Sequence, residues 1–283
     1  MSNLTKTAFV IAHFHEKGRV AKNTFNLLEE MAKKSDCIVF ISTNLDEEEA
    51  RRVRKHAFLI QRENSGYDFW SYKIGIDQLG DMSQFDRIVV CNTSFISIDP
   101  LFLVSSFTGI VEQVGLRGLT RCGEMSEHIQ SYWISFEGKS LLNSPEFMQW
   151  WDGMLSLNDR KENIIHHEVG ISTYFLNKGY PISTLFKETT GQLLIMLSRA
   201  ISTGSIIVNI EDYSQTSESQ IVPLDLKYAY GLNPTIYAWD FIIDQIKILK
   251  IEQFKYNYGR QFMDWKWPTL SDSVNELITD AIK

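Results

Sequence analysis

Three short clusters hold the side chains best suited to chemistry. The first is the corner Asn64-Ser65-Gly66-Tyr67-Asp68, inside "RENSGYDFWSYKIGI". Gly66 permits a tight turn or the close approach of a ligand. Tyr67 offers a flat face for a base or sugar, and Asp68 an acceptor for a ribose hydroxyl or a base N–H. The same corner also reads as a plain helix start, because Ser65 and Asp68 have capping-box spacing. The second cluster is Asn92-Thr93-Ser94, polar residues closing a hydrophobic run. The third is Glu168, four residues after Ile164 and three before Ile171, and so set in an apolar stripe. A carboxylate there is costly unless it is partnered or used. Its use would be to take a proton from a hydroxyl; its alternative is an ion pair with an arginine or a helix end.

Several familiar motifs fail. "GKS" at Gly138 to Ser140 lacks the earlier glycine of a phosphate loop, since Trp133 stands there. No GxGxxG follows the first strand, which weakens a dinucleotide reading. "HHEVG" is not HExxH, because Ile171 takes the place of the second histidine. His13 and His15 point the same way from a strand, but no third metal ligand accompanies them.

The elements that must position these clusters follow from hydrophobic periodicity. "TAFVIAHFH", "CIVFIST", "AFLIQRE" and "DRIVVCNTS" read as strands, separated by helical stretches. In "VAKNTFNLLEEMAKK" the apolar residues Val20, Phe25, Leu27, Leu28 and Met31 recur at helical spacing. "NLDEEEARRVRKH" carries its acids before its bases, as the helix dipole prefers. Phe69, Tyr72, Ile76 and Leu79 share one face of the helix after the corner. Such alternation implies an α/β fold with a mostly parallel sheet and helices on both faces. After Pro100, "VGLRGLTRCG" and "QSYWISFEGKSLL" read as strands of a mixed sheet, and Pro145 opens the helix "PEFMQWWDGML". Its two tryptophans are either half-buried or an exposed patch for a sugar or membrane edge. A longer helix is expected from about Asp159 to Lys178, stopped by Gly179 and Pro181. "EDYSQTSESQ" reads as an exposed loop, and Asn233-Pro234 as a helix start. The expected division is 1–204 for the main domain and 205–283 for an extension packed on it, together one compact unit.

The bulk properties bound the class. The 283 residues are 44% hydrophobic and carry a net charge of −7. An acidic average argues against nucleic acid as a partner, without excluding a local cationic pocket. Cys37, Cys91 and Cys122 are isolated, and read as reduced core thiols of a cytoplasmic protein. The N-terminal apolar run ends in His13 and His15, as a core strand would and a signal peptide would not. No segment approaches the roughly 18 apolar residues of a membrane span. The chain is therefore expected in the cytoplasm, with peripheral contact at the inner face of the plasma membrane left open. The oligomeric state has no sequence signal.

The order of the first two clusters resembles nucleotide-sugar glycosyltransferases of the GT-A fold. In those, the corner after the third strand helps bind the nucleotide, and the fourth strand ends in a DXD motif whose carboxylates hold a metal on the diphosphate. "HEVGISTYFLNKGYPI" is similar to the acidic motif, helix and Gly-Tyr ending of inverting members, in which the acid deprotonates the acceptor. More closely, the chain resembles the rhamnan synthesis F family of bacterial polysaccharide glycosyltransferases. The resemblance runs through "AHFHEKGRV", "RENSGYDFWSYKIGI", "FDRIVVCNTSFIS", "HIQSYWISF", "HEVGIST" with "KGY", "NPTIYAWDFII" and "LKIEQFKYN".

The resemblance implies a GT-A-like, Rossmann-type sheet with a C-terminal helical extension. It implies inverting transfer of a deoxyhexose, typically L-rhamnose from dTDP-L-rhamnose, onto a lipid-linked cell-surface glycan on the cytoplasmic side. A different nucleotide-sugar donor, or a non-catalytic sugar-nucleotide or glycan-binding subunit, are the alternatives. Glu168 is the implied base. His13, Arg62, Asn64, Gly66, Tyr67, Asp68, Lys73, Asn92, Thr93, Ser94 and Lys250 are the expected donor-binding residues. His128, Gln130, Ser131 and His167 are assigned to the sugar or acceptor pocket, although Gln130 and Ser131 fit equally well as polar strand residues. One departure matters: the family commonly has Asn-Asp-Ser where this chain has Asn92-Thr93-Ser94. The DXD carboxylates are absent, so Mg²⁺ or Mn²⁺ is not a certain cofactor. Should no metal balance the diphosphate, a cation is needed, with Lys250 first and Arg62 and Lys73 after it.

Overall fold

The apolar run Thr7–His13 is buried along its whole length and forms the first strand, β1. The structure, a computed structural model, describes residues 5–205, 230–256 and 270–282. Four strands and three helices then alternate as the periodicity predicts. They are β1, α1 (Lys22–Lys34), β2 (Cys37–Ser42), α2 (Glu47–Val53), β3 (Phe58–Gln61), α3 (Tyr67–Leu79) and β4 (Arg87–Asn92). A short strand β5 (Phe95–Ser97), α4 (Pro100–Ser106), β6 (Gly115–Gly118), β7 (Arg121–Cys122), β8 (His128–Ile129) and β9 (Trp133–Glu137) follow. The strand expected over "QSYWISFEGKSLL" stops at Glu137. Gly138 turns there with φ +98°, and Lys139–Leu142 become helical, as α5.

The main sheet has the strand order β10-β6-β9-β4-β1-β2-β3, where β10 is Ile182–Thr184. β1 pairs in parallel with both β2 and β4, while β9 runs antiparallel between β4 and β6. This is the mostly parallel sheet flanked by helices that the alternating pattern implies. The chain leaves β1 toward β2 on one side and reaches β4 on the other. The carboxyl ends of β1 and β4 therefore face a topological switch point, where open α/β sheets bind ligands.

Side chains alternate across each strand, so the sheet has two cores. Phe9 and Ile11 of β1 pack with α1 and α4, and Ala8, Val10 and Ala12 pack with Phe69, Tyr72 and Ile76 of α3. Gly75 lets α3 lie close to the sheet, because a Cβ there would stand 2.2 Å from Val10 Cγ1. Helix α6 (Pro145–Asp152) buries Trp151 in this second core and half-buries Trp150 against Tyr174.

The helix expected over 159–178 is present but interrupted. It runs as α7 (Arg160–Asn163), a π-helical turn (Ile164–Val169) and α8 (Gly170–Asn177). A further helix, α9 (Thr190–Ser202), is held by a full Thr189–Gln192 capping box. The C-terminal part adds α10 (Pro234–Tyr237), α11 (Trp239–Ile246), β11 (Ile248–Lys250), α12 (Ile251–Tyr256) and α13 (Asp272–Ile282). It is tied in at several points. β11 pairs antiparallel with β5, and Arg199 of α9 holds Asp240 through two hydrogen bonds of 2.7 Å each. "EDYSQTSESQ" and the end of "LKIEQFKYN" lie outside the described residues. Among the described residues no helix is long and apolar enough to cross a membrane.

Candidate active site

A cleft of about 700 Å³ opens at the carboxyl ends of the strands and is lined by both Asp68 and Glu168. Next to it lies a chamber of about 370 Å³, with Asp68, Asn92 and Ser94 forming part of the wall of both. Tyr67, His128, Gln130, Ser131 and Lys250 line the larger space, and His13 and Thr93 the smaller.

The corner before α3 is built by left-handed backbone. Gly66 has φ +66° and Tyr67 φ +51°, two successive residues in a region most side chains avoid. The predicted capping box is absent, because left-handed Gly66 caps the helix with no side-chain bond. This frees the Asp68 carboxylate for the cleft. Local contacts hold the turn. Gly66 N–H donates to Asn158 Oδ1 at 2.9 Å, and Asn163 Nδ2 donates to its carbonyl. Arg62 folds back into the corner, donating to the carbonyls of Glu63, Ser65 and Tyr67 and to Ser71 Oγ. Arg62 thus braces the turn instead of facing a ligand. Asn64 is exposed and lines neither space.

Four of the expected donor residues form one hydrogen-bonded line. Lys250 Nζ donates to Ser94 Oγ at 2.7 Å, Ser94 Oγ donates to Asn92 Oδ1 at 2.6 Å, and Asn92 Nδ2 donates to Asp68 Oδ2 at 2.7 Å. Every donor points the same way, from the ammonium toward the carboxylate. Burial raises the Asp68 carboxyl above its ordinary range, while the Asn92 bond and Lys250 pull it back. Burial lowers the Lys250 ammonium, opposed by Glu252, Glu168 and Asp68. The ammonium also lies over the ring of Tyr132, 4.3 Å from its centroid.

Glu168 sits in the π turn, a helix irregularity frequently found at functional sites. The extra residue in the turn splits the apolar stripe the sequence suggests. Ile164 and Glu168 face the cleft, while Ile171 is fully buried in the core. One carboxylate oxygen of Glu168 accepts the Ser131 N–H at 2.9 Å. No arginine holds it among the described ion pairs. Ser131 therefore contributes its backbone. Gln130 is engaged by Thr120 Oγ1 and donates to Asn233, and His128 Nδ1 pairs with the Ser126 carbonyl.

Two more expected residues, Lys73 and His167, lie outside both spaces. Lys73 is ion-paired to Asp77 at 2.6 Å, one helical turn along α3, and lines neither space. His167 is buried against the ring of Phe69, and burial lowers its imidazole to about 4. Both ring nitrogens of His13 are used, by Ser42 Oγ and the Arg19 carbonyl, so it forms no metal pair with His15. Residues the sequence reading missed include Tyr132 beneath Lys250, and Arg160, whose guanidinium pairs with Glu252 at 3.3 Å. Both line the cleft.

A divalent cation on a diphosphate draws on carboxylate and water oxygens. The donor set here does not fit one. Asn92 Oδ1 already accepts from Ser94 N and Oγ, and the Ser94 hydroxyl lies against an ammonium. Asp68 is the one carboxylate of this cluster. Among the described residues no group of three histidines, cysteines or acids could hold a metal.

Residues 38–203 match the model of the family described as rhamnan synthesis protein F. The chain is 27% identical over 194 residues to the virulence protein VirA of Vibrio anguillarum, covering 64% of this chain and 56% of that one. It is 24% identical over 177 residues to an uncharacterized protein, y4gN, of Sinorhizobium fredii, covering 58% and 45%. The chain thus spans about half the length of these relatives. Among solved structures, the glycosyltransferase GlyE of Streptococcus pneumoniae aligns with a TM-score of 0.37 at 16% identity, over 89% of this chain and 64% of that one. Glucosyl-3-phosphoglycerate synthase of Mycobacterium tuberculosis, solved with Mn²⁺ and uridine diphosphate, aligns with a TM-score of 0.36 at 10% identity, over 71% and 78%.

Proposed function

The chain belongs to the rhamnan synthesis protein F family, and we propose that it is an inverting glycosyltransferase of polysaccharide synthesis. In this reading it moves a deoxyhexose, L-rhamnose from dTDP-L-rhamnose, onto a lipid-linked glycan at the cytoplasmic face of the membrane. One observation carries the proposal. Asp68 and Glu168, 100 residues apart in sequence, line a single cleft at the switch point of the sheet. The donor lies along the Asp68–Asn92–Ser94 wall. The nucleotide extends toward the smaller chamber, whose lining includes Lys17, Arg19 and Lys255. The exposed ring of Tyr67 offers a stacking face on the cleft side.

Glu168 takes the acceptor proton. The acceptor oxygen forms its bond to the anomeric carbon as the bond from that carbon to the diphosphate oxygen breaks. The electron pair leaves on the diphosphate, and the proton rests on Glu168. The Ser131 N–H fixes one carboxylate oxygen and leaves the other for the hydroxyl. General-base catalysis contributes roughly 10²–10⁴ in rate.

The test is Glu168→Gln. A glutamine oxygen still accepts from Ser131 N–H, so fold and donor binding are retained while transfer falls by at least about a hundredfold. Full transfer by this variant removes Glu168 from the mechanism. A panel of dTDP, UDP and GDP sugars settles the donor. Donor binding by the wild-type chain, with neither transfer nor donor hydrolysis, would establish the non-catalytic subunit, the reading favoured by Thr93 in place of an acid.

A further inference from the structure

We propose that Lys250 takes the place of a divalent metal in this cleft, and that the donor diphosphate binds directly to its ammonium. The inference rests on the glycosyltransferase reading and deepens it. β11 lies antiparallel to β5, with Lys250 opposite Phe95, and this pairing delivers the side chain to the residues just after β4. There the ammonium donates to Ser94 and lies on the ring of Tyr132. Among the described residues no carboxylate stands within ion-pair distance of it. A partly desolvated ammonium held by a hydroxyl and an aromatic face keeps donor capacity for an anion. It lines the cleft, so an anion can reach it.

The line of hydrogen bonds explains how the charge is kept there. Lysine donates to serine, serine to asparagine, and asparagine to aspartate. The chain has a cation at one end and an anion at the other, and each bond polarises the next in the same sense. The two ends suit the two ends of a nucleotide sugar. The ammonium meets the phosphates, where negative charge grows as the diphosphate leaves. Asp68 spends one oxygen on Asn92, and its other oxygen is free of protein donors among the described residues. It is placed to accept from a hydroxyl of the sugar or ribose. A second positive charge at Ser94 would face the ammonium directly. The residues that would ligate a metal are instead the residues that position the lysine.

The experiment is calorimetric titration of the full chain with dTDP and with UDP, once in EDTA and once in Mg²⁺. The expected result is binding of one nucleotide with affinities within about threefold in the two buffers. Lys250→Met should weaken it by about a hundredfold, about 2.8 kcal/mol at 1.4 kcal/mol per decade, as for loss of a hydrogen bond to a charged group. Lys250→Arg keeps the charge and should recover most of the affinity. Binding that requires Mg²⁺ or Mn²⁺, or that is unchanged in Lys250→Met, overturns the proposal and leaves the glycosyltransferase reading standing. No binding of any nucleotide in either buffer overturns both. The wild-type titration in EDTA keeps the proposal falsifiable even if the methionine variant does not fold, because a requirement for Mg²⁺ overturns it.

Discussion

The left-handed corner at Gly66 should be both structurally and functionally intolerant of a side chain, and Gly179 supplies the control. Both glycines sit in left-handed turns, Gly66 at φ +66° and Gly179 at φ +85°, where it ends α8 with the Tyr180 N–H bonded to the Phe175 carbonyl. An alanine at either position incurs the left-handed penalty, about 1–2 kcal/mol. Their surroundings differ. A Cβ on Gly179 meets nothing within 4 Å, whereas one on Gly66 stands 2.5 Å from Ser156 Oγ and 2.6 Å from Trp70 Cβ. The serine hydroxyl can rotate away. Trp70 Cβ cannot, because it belongs to the first turn of α3, and shifting it moves the helix that carries Asp68. Overpacking of this kind adds about 1–3 kcal/mol. Gly179→Ala should therefore destabilise the chain by about 1–2 kcal/mol and Gly66→Ala by about 2–5 kcal/mol. Urea unfolding of the two variants measures the difference. Nucleotide titration should weaken for Gly66→Ala and stay at the wild-type value for Gly179→Ala. Equal losses of stability in the two variants would show that the corner yields to a side chain, and would refute the claim that it is rigidly held.

Two further expectations concern charge. Burial raises the Asp68 carboxyl above its ordinary 3.8. The folded state then holds its proton longer than the unfolded state, and stability declines as pH rises through the raised value. Asp68→Asn removes that decline. Its melting temperature should exceed wild type near neutral pH and match it below pH 3.8, while nucleotide affinity falls; a variant less stable than wild type at neutral pH would refute the sign. The bidentate Arg199–Asp240 pair, with the arginine 6% exposed, should cost about 3 kcal/mol to break by Asp240→Ala. Denaturation should still show one transition; a separate early transition would show that the C-terminal extension unfolds by itself.

What the sequence makes legible is what local periodicity encodes. β1, β2 and β4 are continuous apolar runs because both faces of these strands are buried. The face Phe69, Tyr72, Ile76 and Leu79 is buried as its spacing requires. Glu168 stands out because it is an acid in an apolar stripe, whereas Asp68 fits a helix start equally well until the left-handed turn decides. What stays hidden depends on through-space geometry. Ser94 and Lys250 are 156 residues apart, and nothing in either segment announces the β5–β11 pairing that joins them. Arg62 carries a charge that suits a phosphate as well as it suits three carbonyls, and only the left-handed turn decides between them. His167 and Glu168 are neighbours assigned to one site. The π turn sends one to the Phe69 ring and the other to the cleft. A pattern of 3.6 residues per turn carries no signal for such an insertion.

The spacing between the two poles of the cleft is fixed by covalent structure and two hydrogen bonds. Asp68 and Tyr72 stand one turn apart on α3, and the Tyr72 hydroxyl donates to the Ser131 carbonyl at 2.9 Å. The N–H of the same Ser131 donates to Glu168 at 2.9 Å. One residue in the β8–β9 connection is therefore held by the donor-side helix through its carbonyl and holds the candidate base through its amide. Movement of α3 relative to the π turn would have to break one of these bonds in a partly buried setting, where an unmet polar group costs about 1–3 kcal/mol. Transfer with inversion needs the base and the leaving group on opposite sides of one sugar carbon. On the proposed reading, a path that ties Asp68 to Glu168 through a single backbone unit would keep that separation constant.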